Sequence, residues 1–286
     1  MRLIRRFWAL LFTVLLTGSV SPAVAPASCA KPASRPFRIF DATAYLGRPD
    51  LARYGIEPIH LIDRGLWPEG AGRSGPPDPA LVRRYVESLP RDNGPIVLDL
   101  EHYDLTGSDQ AAQVAVTDLR RLAAAFRAIA PNRKIGFYGI VPIADFRPAL
   151  AGTGSPRHQA WQRQNDRLRS LQNGVDYIFP SAYTDSTDRA TWVTGASGSI
   201  CEARRLSSKP VYIFIWPEYH DSSPMSGQYL DAAFWRLQLE TAYRLADGVV
   251  IFGGYDIAHD RPRQWNPQAP WVAPTLAFIR ERLGRR

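Results

Sequence analysis

Lysine is nearly missing from this 286-residue chain. Only Lys31, Lys134 and Lys209 occur, so nearly all of its 35 basic residues are arginine. Cysteine is scarcer still: Cys29 and Cys201 stand alone, which excludes a zinc site of the CxxC kind. The five histidines (60, 102, 158, 220, 259) show no ligand spacing, so no metal is expected. No G-x-S-x-G elbow is present, which argues against serine hydrolysis of the α/β-hydrolase kind. No glycine-rich phosphate loop follows the first apolar run, which disfavours a dinucleotide-binding sheet and leaves no cofactor expected. No basic stripe interleaved with aromatics points to nucleic acid.

Long apolar runs are also absent, apart from the N-terminus. There Met1-Arg2-Leu3-Ile4-Arg5-Arg6 precedes an apolar stretch from Phe7 to Leu16 and then Ala23-Val24-Ala25. A basic start, about ten apolar residues and an A-x-A site read as a secretory signal peptide over residues 1–25. The run is too short to span a bilayer, and no later segment is apolar enough to cross one. A secreted or periplasmic protein is expected. The formal charge of +8 falls to near +5 once Arg2, Arg5 and Arg6 leave. Cleavage after Ala25 keeps both cysteines, which can pair in an oxidising compartment; cleavage after Ala30 leaves Cys201 alone.

What the chain does have is alternation. Short runs rich in Val, Ile, Tyr and Phe occur at Phe37–Asp41, Pro58–Ile62, Ile96–Glu101, Ile135–Val141, Tyr177–Tyr183, Val211–Trp216 and Val249–Gly253. Their nearly continuous apolar character suits strands buried on both faces of a parallel sheet. Helical periodicity fills the gaps, most clearly over Ala111–Ile129 and Asp231–Ala246, and more briefly over Leu81–Leu89, Gln159–Leu171, Ser199–Leu206 and Pro274–Leu283. The expectation is an α/β fold: a TIM-like (β/α) barrel of seven or eight parallel strands over residues 37–286, after a linker at 26–36. The Gly/Pro-rich segment from Pro68 to Pro79 reads as a surface loop. The chain is expected to be a monomer.

Barrels carry their chemistry at the C-terminal ends of the strands. Strand three ends Leu98-Asp99-Leu100-Glu101-His102-Tyr103. Strand residues two apart share a face, roughly 6–7 Å apart, so Asp99 and Glu101 can converge at the mouth. Such a pair cannot both ionise freely at low dielectric, and a raised carboxyl group suits a general acid for a glycosidic oxygen. Glu101 is the outer residue and better placed to reach substrate; Asp99 is the deeper one. On spacing alone a buried structural acid next to a surface salt bridge fits as well. Aromatics tip the balance, because Tyr138, Tyr183, Trp216, Tyr219 and Tyr255 gather at or near predicted strand ends, where sugar rings can stack. His102 points away along an ideal strand.

Five segments, in order and in register over roughly residues 90 to 255, resemble the hyaluronidase family of glycoside hydrolases. Ile96-Val97-Leu98-Asp99-Leu100-Glu101 is similar to that family's strand with Asp-Trp-Glu. Gly136-Phe137-Tyr138-Gly139 followed by Pro142 is similar to its Gly-Phe-Tyr-Gly segment. Phe179-Pro180-Ser181-Ala182-Tyr183 matches Pro-Ser-Ile-Tyr, Glu202-Ala203-Arg204 a Glu-Ala-x-Arg helix, and Gly248 to Gly253 the last strand, Val-Ile-Trp-Gly. Departures fall at Leu100, at His102-Tyr103, at Ser199-Ile200-Cys201 and at Phe252. The resemblance implies a seven-stranded barrel with Glu101 as acid/base, Asp99 as its carboxylate neighbour, and Tyr138 and Tyr183 positioning a substrate N-acetyl group. Trp216, Phe252, Tyr103 and Asp256 complete the expected substrate-binding set. It also implies a retaining mechanism in which the substrate's acetamido oxygen is the nucleophile, one of the exceptions to the two-carboxylate scheme.

The leading expectation is therefore an exported glycoside hydrolase acting on a polysaccharide or glycan that contains N-acetylhexosamine. One alternative is a carbohydrate-binding barrel without catalysis. Another is a barrel hydrolase using Asp41, Asp63, Glu218 or Asp256, either as a carboxylate pair or as ligands of a metal-dependent phosphodiesterase.

Overall fold

The structure is a computed structural model that describes residues 29–63, 65–68, 77–256 and 259–285. The expected leader and residues 69–76 of the Gly/Pro-rich loop lie outside the described residues.

Two parallel sheets are present. One runs in the order β2 (Glu57–Pro58), β1 (Arg38–Thr43), β7 (Gly248–Gly253), β6 (Tyr212–Ile215); the other is β3 (His60–Ile62), β4 (Ile96–Leu98), β5 (Ile135–Phe137). Strands β2 and β3 are one stretch of chain interrupted at Ile59, so the two sheets meet there. They meet again across segment 177–184, which bridges in parallel to Tyr138 on one side and to Val211 and Phe214 on the other. Followed around, the pairings close into a barrel of seven strand positions, as the sequence pattern and the family resemblance both lead one to expect.

The alternation of side chains fixes what faces the lumen. Phe40, Val97, Tyr138, Phe179, Tyr212, Phe214 and Val250 form one buried cluster, with Tyr177, Tyr183 and Phe252 against it. Their chain neighbours Ile39, Ile96, Leu98, Phe137, Ile178, Ile213, Ile215, Val249 and Ile251 join the larger cluster beneath the helices. The lumen is thus plugged with rings, among them Tyr212 edge-on to Phe40 and to Tyr177, both at 5.0 Å between centroids.

Helices α1 (Pro79–Ser88), α2 (Asp109–Ile129), α3 (Arg147–Leu150), α4 (Pro156–Leu168), α5 (Arg189–Leu206), α6 (Ala232–Leu245) and α7 (Val272–Leu283) pack outside. Most start at a side-chain cap: Asp78, Ser108, Ser155, Asp188 and Asp231 each accept from a backbone N–H two or three residues ahead. The sequence pattern finds only the last eight of the eighteen residues of α5, because its first ten residues (Arg189 to Gly198) are rich in Gly, Ser and Thr, weak helix formers. The structure gives the glycines a reason. A Cβ at Gly195 would stand 2.3 Å from Phe146, and one at Gly198 would stand 2.3 Å from Ala149. Small residues there let α3 lie directly on α5.

Two strand boundaries also differ from the expected ones. The ladder of β4 stops at Leu98, although Asp99 still donates its N–H to Ile62 at 2.9 Å, and the chain turns at Glu101-His102. Segment 177–184 makes single bridges rather than a continuous strand. Pro180 in its middle has no N–H to give.

The Glu-Ala-x-Arg resemblance turns out to carry packing. Glu202, buried, accepts from Asn165 at 3.0 Å, from Gln162 at 3.2 Å and from Arg205, tying α5 to α4. Arg204 donates to the last carbonyl of α6, Leu245, and to Asp247, whose carboxylate also accepts from Val211 N–H. Cys29 and Cys201 are joined in a disulfide with Cα atoms 4.8 Å apart, so the first described residue is stapled to α5.

Closing a loop of 172 residues constrains the unfolded chain strongly. Cys201→Ser is expected to lower unfolding free energy by about 2–5 kcal/mol in urea titration, with no change in the barrel's circular dichroism at low denaturant. Gly136 is the second test. A Cβ there would meet Phe179 and the Tyr177 carbonyl at 2.5 Å, so Gly136→Ala should cost about 1–3 kcal/mol by prying segment 177–184 off β5; an unchanged midpoint would show that the segment is held elsewhere.

Candidate active site

The C-terminal mouth of the barrel opens into a cavity of about 300 Å³. It is lined by Glu101 after β4, Tyr138 after β5, Ser181 and Tyr183 from segment 177–184, and His220 and Ser222 after β6, with Asp145, Phe146 and Arg147 at the start of α3.

Side-chain parity carries the carboxylates inward even though the ladder ends early. Val97 is in the lumen cluster while Ile96, Leu98 and Leu100 are buried under the helices. Asp99 and Glu101 therefore fall on the lumen side. Glu101 is exposed in the cavity; Asp99 is largely covered, and its Oδ1 is buried without a hydrogen-bond partner. Burial, then the charge of Glu101, then that of Asp63, push the Asp99 carboxyl up to about 7. A proton is thus retained in this pair near neutral pH.

The tyrosines line the same cavity from the end of β5 and from segment 177–184. Tyr138 donates its hydroxyl hydrogen to Ser181 Oγ at 2.9 Å, and its ring lies 5.9 Å from that of Tyr183. Burial raises both phenols, Tyr183 strongly, and the nearby Asp99 and Glu101 charges raise them further. They enter the site as neutral hydrogen-bonding groups. Tyr183 is stacked between His220 and Phe252, each at 5.7 Å, and Trp216 sits edge-on to it at 5.5 Å.

Of the residues expected from the sequence, the structure brings together Glu101, Asp99, Tyr138 and Tyr183. Trp216 and Phe252 stand behind Tyr183 rather than on the cavity wall. Tyr103 does not line the cavity: it is half-buried and feels Asp118 of α2, which with burial pushes its phenol up to about 12. Asp256 is engaged with His259 Nδ1 at 2.9 Å, also away from the cavity. The lining residues that sequence reasoning missed, Asp145, Arg147, Asp185, His220 and Ser222, come from beyond the strand ends, Arg147 from the first turn of α3 and the others from loops. Only Asp145 left a signal, since Asp two residues before Arg-Pro marks a helix start, and its carboxylate accepts Arg147 N–H at 3.0 Å.

Of the other carboxylates weighed from the sequence, Asp63 is near enough to raise Asp99 without lining the cavity, and the rest lie apart. Asp41 accepts from Thr43 and Arg48. Glu218 is fully buried, bonded by Tyr45 Oη at 3.1 Å and ion-paired to Arg263 at 3.0 Å. Burial pushes it up to about 7 against the pull of Arg263 and Tyr45. Among the described residues no group of three His, Cys, Asp or Glu could hold a metal ion.

With the geometry in hand, comparison with known proteins is informative at the level of fold. No known family profile matches the chain, and no curated protein matches it by sequence. Solved structures do match. Bee venom hyaluronidase superposes with a TM-score of 0.59 at 16% identity, covering 87% of this chain and 98% of the other. The same enzyme in complex with a hyaluronic acid tetramer gives 0.57 at 16%, with 86% and 98% covered. This chain has the fold of the hyaluronidase barrel. The likeness that five short segments carry in sequence is therefore met by an independent likeness in three dimensions, over nearly the full length of the neighbour.

The titration of the acid pair sets an expected pH dependence. Any reaction that needs the pair's proton should weaken as pH rises through about 7, where Asp99 ionises in the folded protein. Asp99→Asn removes the charge that helps hold that proton, so the alkaline limb of kcat/KM should move to lower pH. A limb that stays in place would remove Asp99 from the titration.

Proposed function

We propose that this protein is an exported glycoside hydrolase that cleaves a polysaccharide or glycan at an N-acetylhexosamine, with retention of configuration. The observation that supports it best is the acid pair: an exposed Glu101 beside a covered Asp99 whose carboxyl is raised to about 7, with neutral tyrosines lining the same cavity. The hyaluronidase-like barrel and the matching motif residues add to it.

In this reading Glu101 delivers the pair's proton to the glycosidic oxygen as the C1–O bond breaks. The acetamido oxygen of the same sugar forms the new bond to C1. Asp99, now ionised and covered behind Glu101, stabilises the charge developing on the ring through its own negative charge. Tyr183 and the Tyr138–Ser181 pair hold the acetyl group in the attacking position. Water then enters; Glu101 takes its proton, the C1–O bond to the acetamido group breaks, and the sugar leaves with its configuration retained. The disulfide and the N-terminal leader pattern support export. No helix among the described residues is long and apolar enough to cross a membrane.

Reducing-sugar release from a panel of hyaluronan, chondroitin, chitin oligomers and bacterial N-acetylhexosamine polymers tests the reading. Glu101→Gln should lower release by at least about a hundredfold, the size of a lost general acid. Release that survives Glu101→Gln would overturn the site; binding of one polymer without release by the wild type would leave a carbohydrate-binding barrel instead.

A further inference from the structure

The cavity carries the charge opposite to that of the chain. The sequence as a whole is +8, yet the ionisable side chains lining the cavity are Glu101, Asp145, Asp185, Arg147 and His220. Arg147 is the only lysine or arginine among the described lining residues, and it is already occupied. Its Nε and Nη2 donate in a fork to the two oxygens of Asp145 at 2.7 and 3.1 Å, which leaves that pair neutral. His220 is engaged within its own loop: Ser222 N–H donates to its Nδ1 at 3.2 Å, and the Ser222 hydroxyl lies 2.9 Å from the same atom.

Two carboxylates remain to face a substrate, Glu101 and Asp185, with Asp99 and Asp63 behind Glu101. Asp185 is exposed and makes no hydrogen bond or ion pair among the described residues; Arg147 senses it only through space. A cleft lined by one sign of charge concentrates the opposite sign and repels its own. A polymer with a carboxylate on alternate sugars would bring like charge against Asp185 and Glu101, with no unengaged guanidinium among the described lining residues to meet it. A sugar bearing an ammonium group would find a carboxylate waiting.

Resting on the glycosidase reading above, we propose that the substrate is a hexosamine polymer that has lost part of its acetyl groups. An acetamido sugar occupies the site at Glu101, and the free ammonium of a neighbouring sugar sits against Asp185. Asp185 is then a specificity residue outside the chemical step, and uronate-bearing polymers are disfavoured.

The test uses the full chain with hexosamine oligomers of one linkage at graded acetylation, and with hyaluronan. Wild type should cleave partly de-N-acetylated oligomers with kcat/KM about three- to fivefold above the fully acetylated ones, the size of one exposed charge pair. That preference should shrink as salt is raised. Asp185→Asn should abolish it and Asp185→Lys should reverse it, read as the ratio of kcat/KM between partly de-N-acetylated and fully acetylated oligomers; a merely structural role for Asp185 would lower kcat/KM for both alike and leave that ratio intact. Glu101-dependent cleavage with no preference for free amines, or with preference for hyaluronan, would overturn this proposal and leave the glycosidase reading standing. Absence of Glu101-dependent release from every polymer would overturn that reading and this proposal with it.

Discussion

Segment 177–184 occupies a strand position in the barrel, and the cavity depends on how it is held there. Pro180 takes one donor out of the ladder, and the segment is held by separate backbone bonds, among them Gly139 N–H to Phe179 O, Ala182 N–H to Phe214 O, and Phe214 N–H to Pro180 O, these three between 2.8 and 2.9 Å. Its fit against β5 further requires that residue 136 have no side chain. Once seated, its parity does the rest. Phe179 fills the lumen, and Ser181 and Tyr183 emerge at the mouth in the same cavity as Glu101. Behind it, Thr184 is bonded to the buried Gln238 of α6 at 2.7 Å, and the Trp192 indole of α5 donates to Ala182 O at 2.9 Å. The wall that would position a sugar is therefore fixed from both sides by the helical shell.

The acid pair reaches the same cavity from β4, and its electrostatics follow from depth. Residues 97, 99 and 101 descend from a sealed lumen to open cavity within one stretch of chain. Val97 is fully buried, Asp99 is covered but polar, and Glu101 is wet. The carboxyl that loses most water is the one whose pKa rises, and the one that keeps water is the one that can touch a ligand. Two identical functional groups thereby take different parts because they sit at different heights on the same face.

Much of this was readable before any coordinates. The seven apolar runs gave the barrel positions, since strands buried on both faces must be apolar throughout, and period-two spacing put Asp99 and Glu101 on one face. The parity argument survived even where the ladder stopped short, because backbone direction persists for a few residues beyond the last paired one. Less legible were features with no periodic signature. The first half of α5 hid behind Gly195 and Gly198, whose presence is explained only by Phe146 and Ala149 arriving from another helix. Asp145, Arg147, Asp185 and His220, beyond the strand ends, could not be placed, because a loop's aim depends on packing rather than spacing. Tyr103 and Asp256 looked like site residues by their nearness to strand ends, and the turns that follow send them to α2 and to His259.

The stapled N-terminus has a geometric consequence. Cys201 lies toward the end of α5 that leads into β6, and the following residues tie down at that same end: Arg35 reaches Ser208 O at 2.6 Å, and Lys31 lies over the rings of Phe37 and Tyr243. That is the face where strands begin, and the cavity is at the face where they finish. Residue 29 is therefore held at the floor of the barrel. A protein tethered, displayed or immobilised through that end would present its cavity outward, with the full height of the barrel as a spacer between attachment point and polymer.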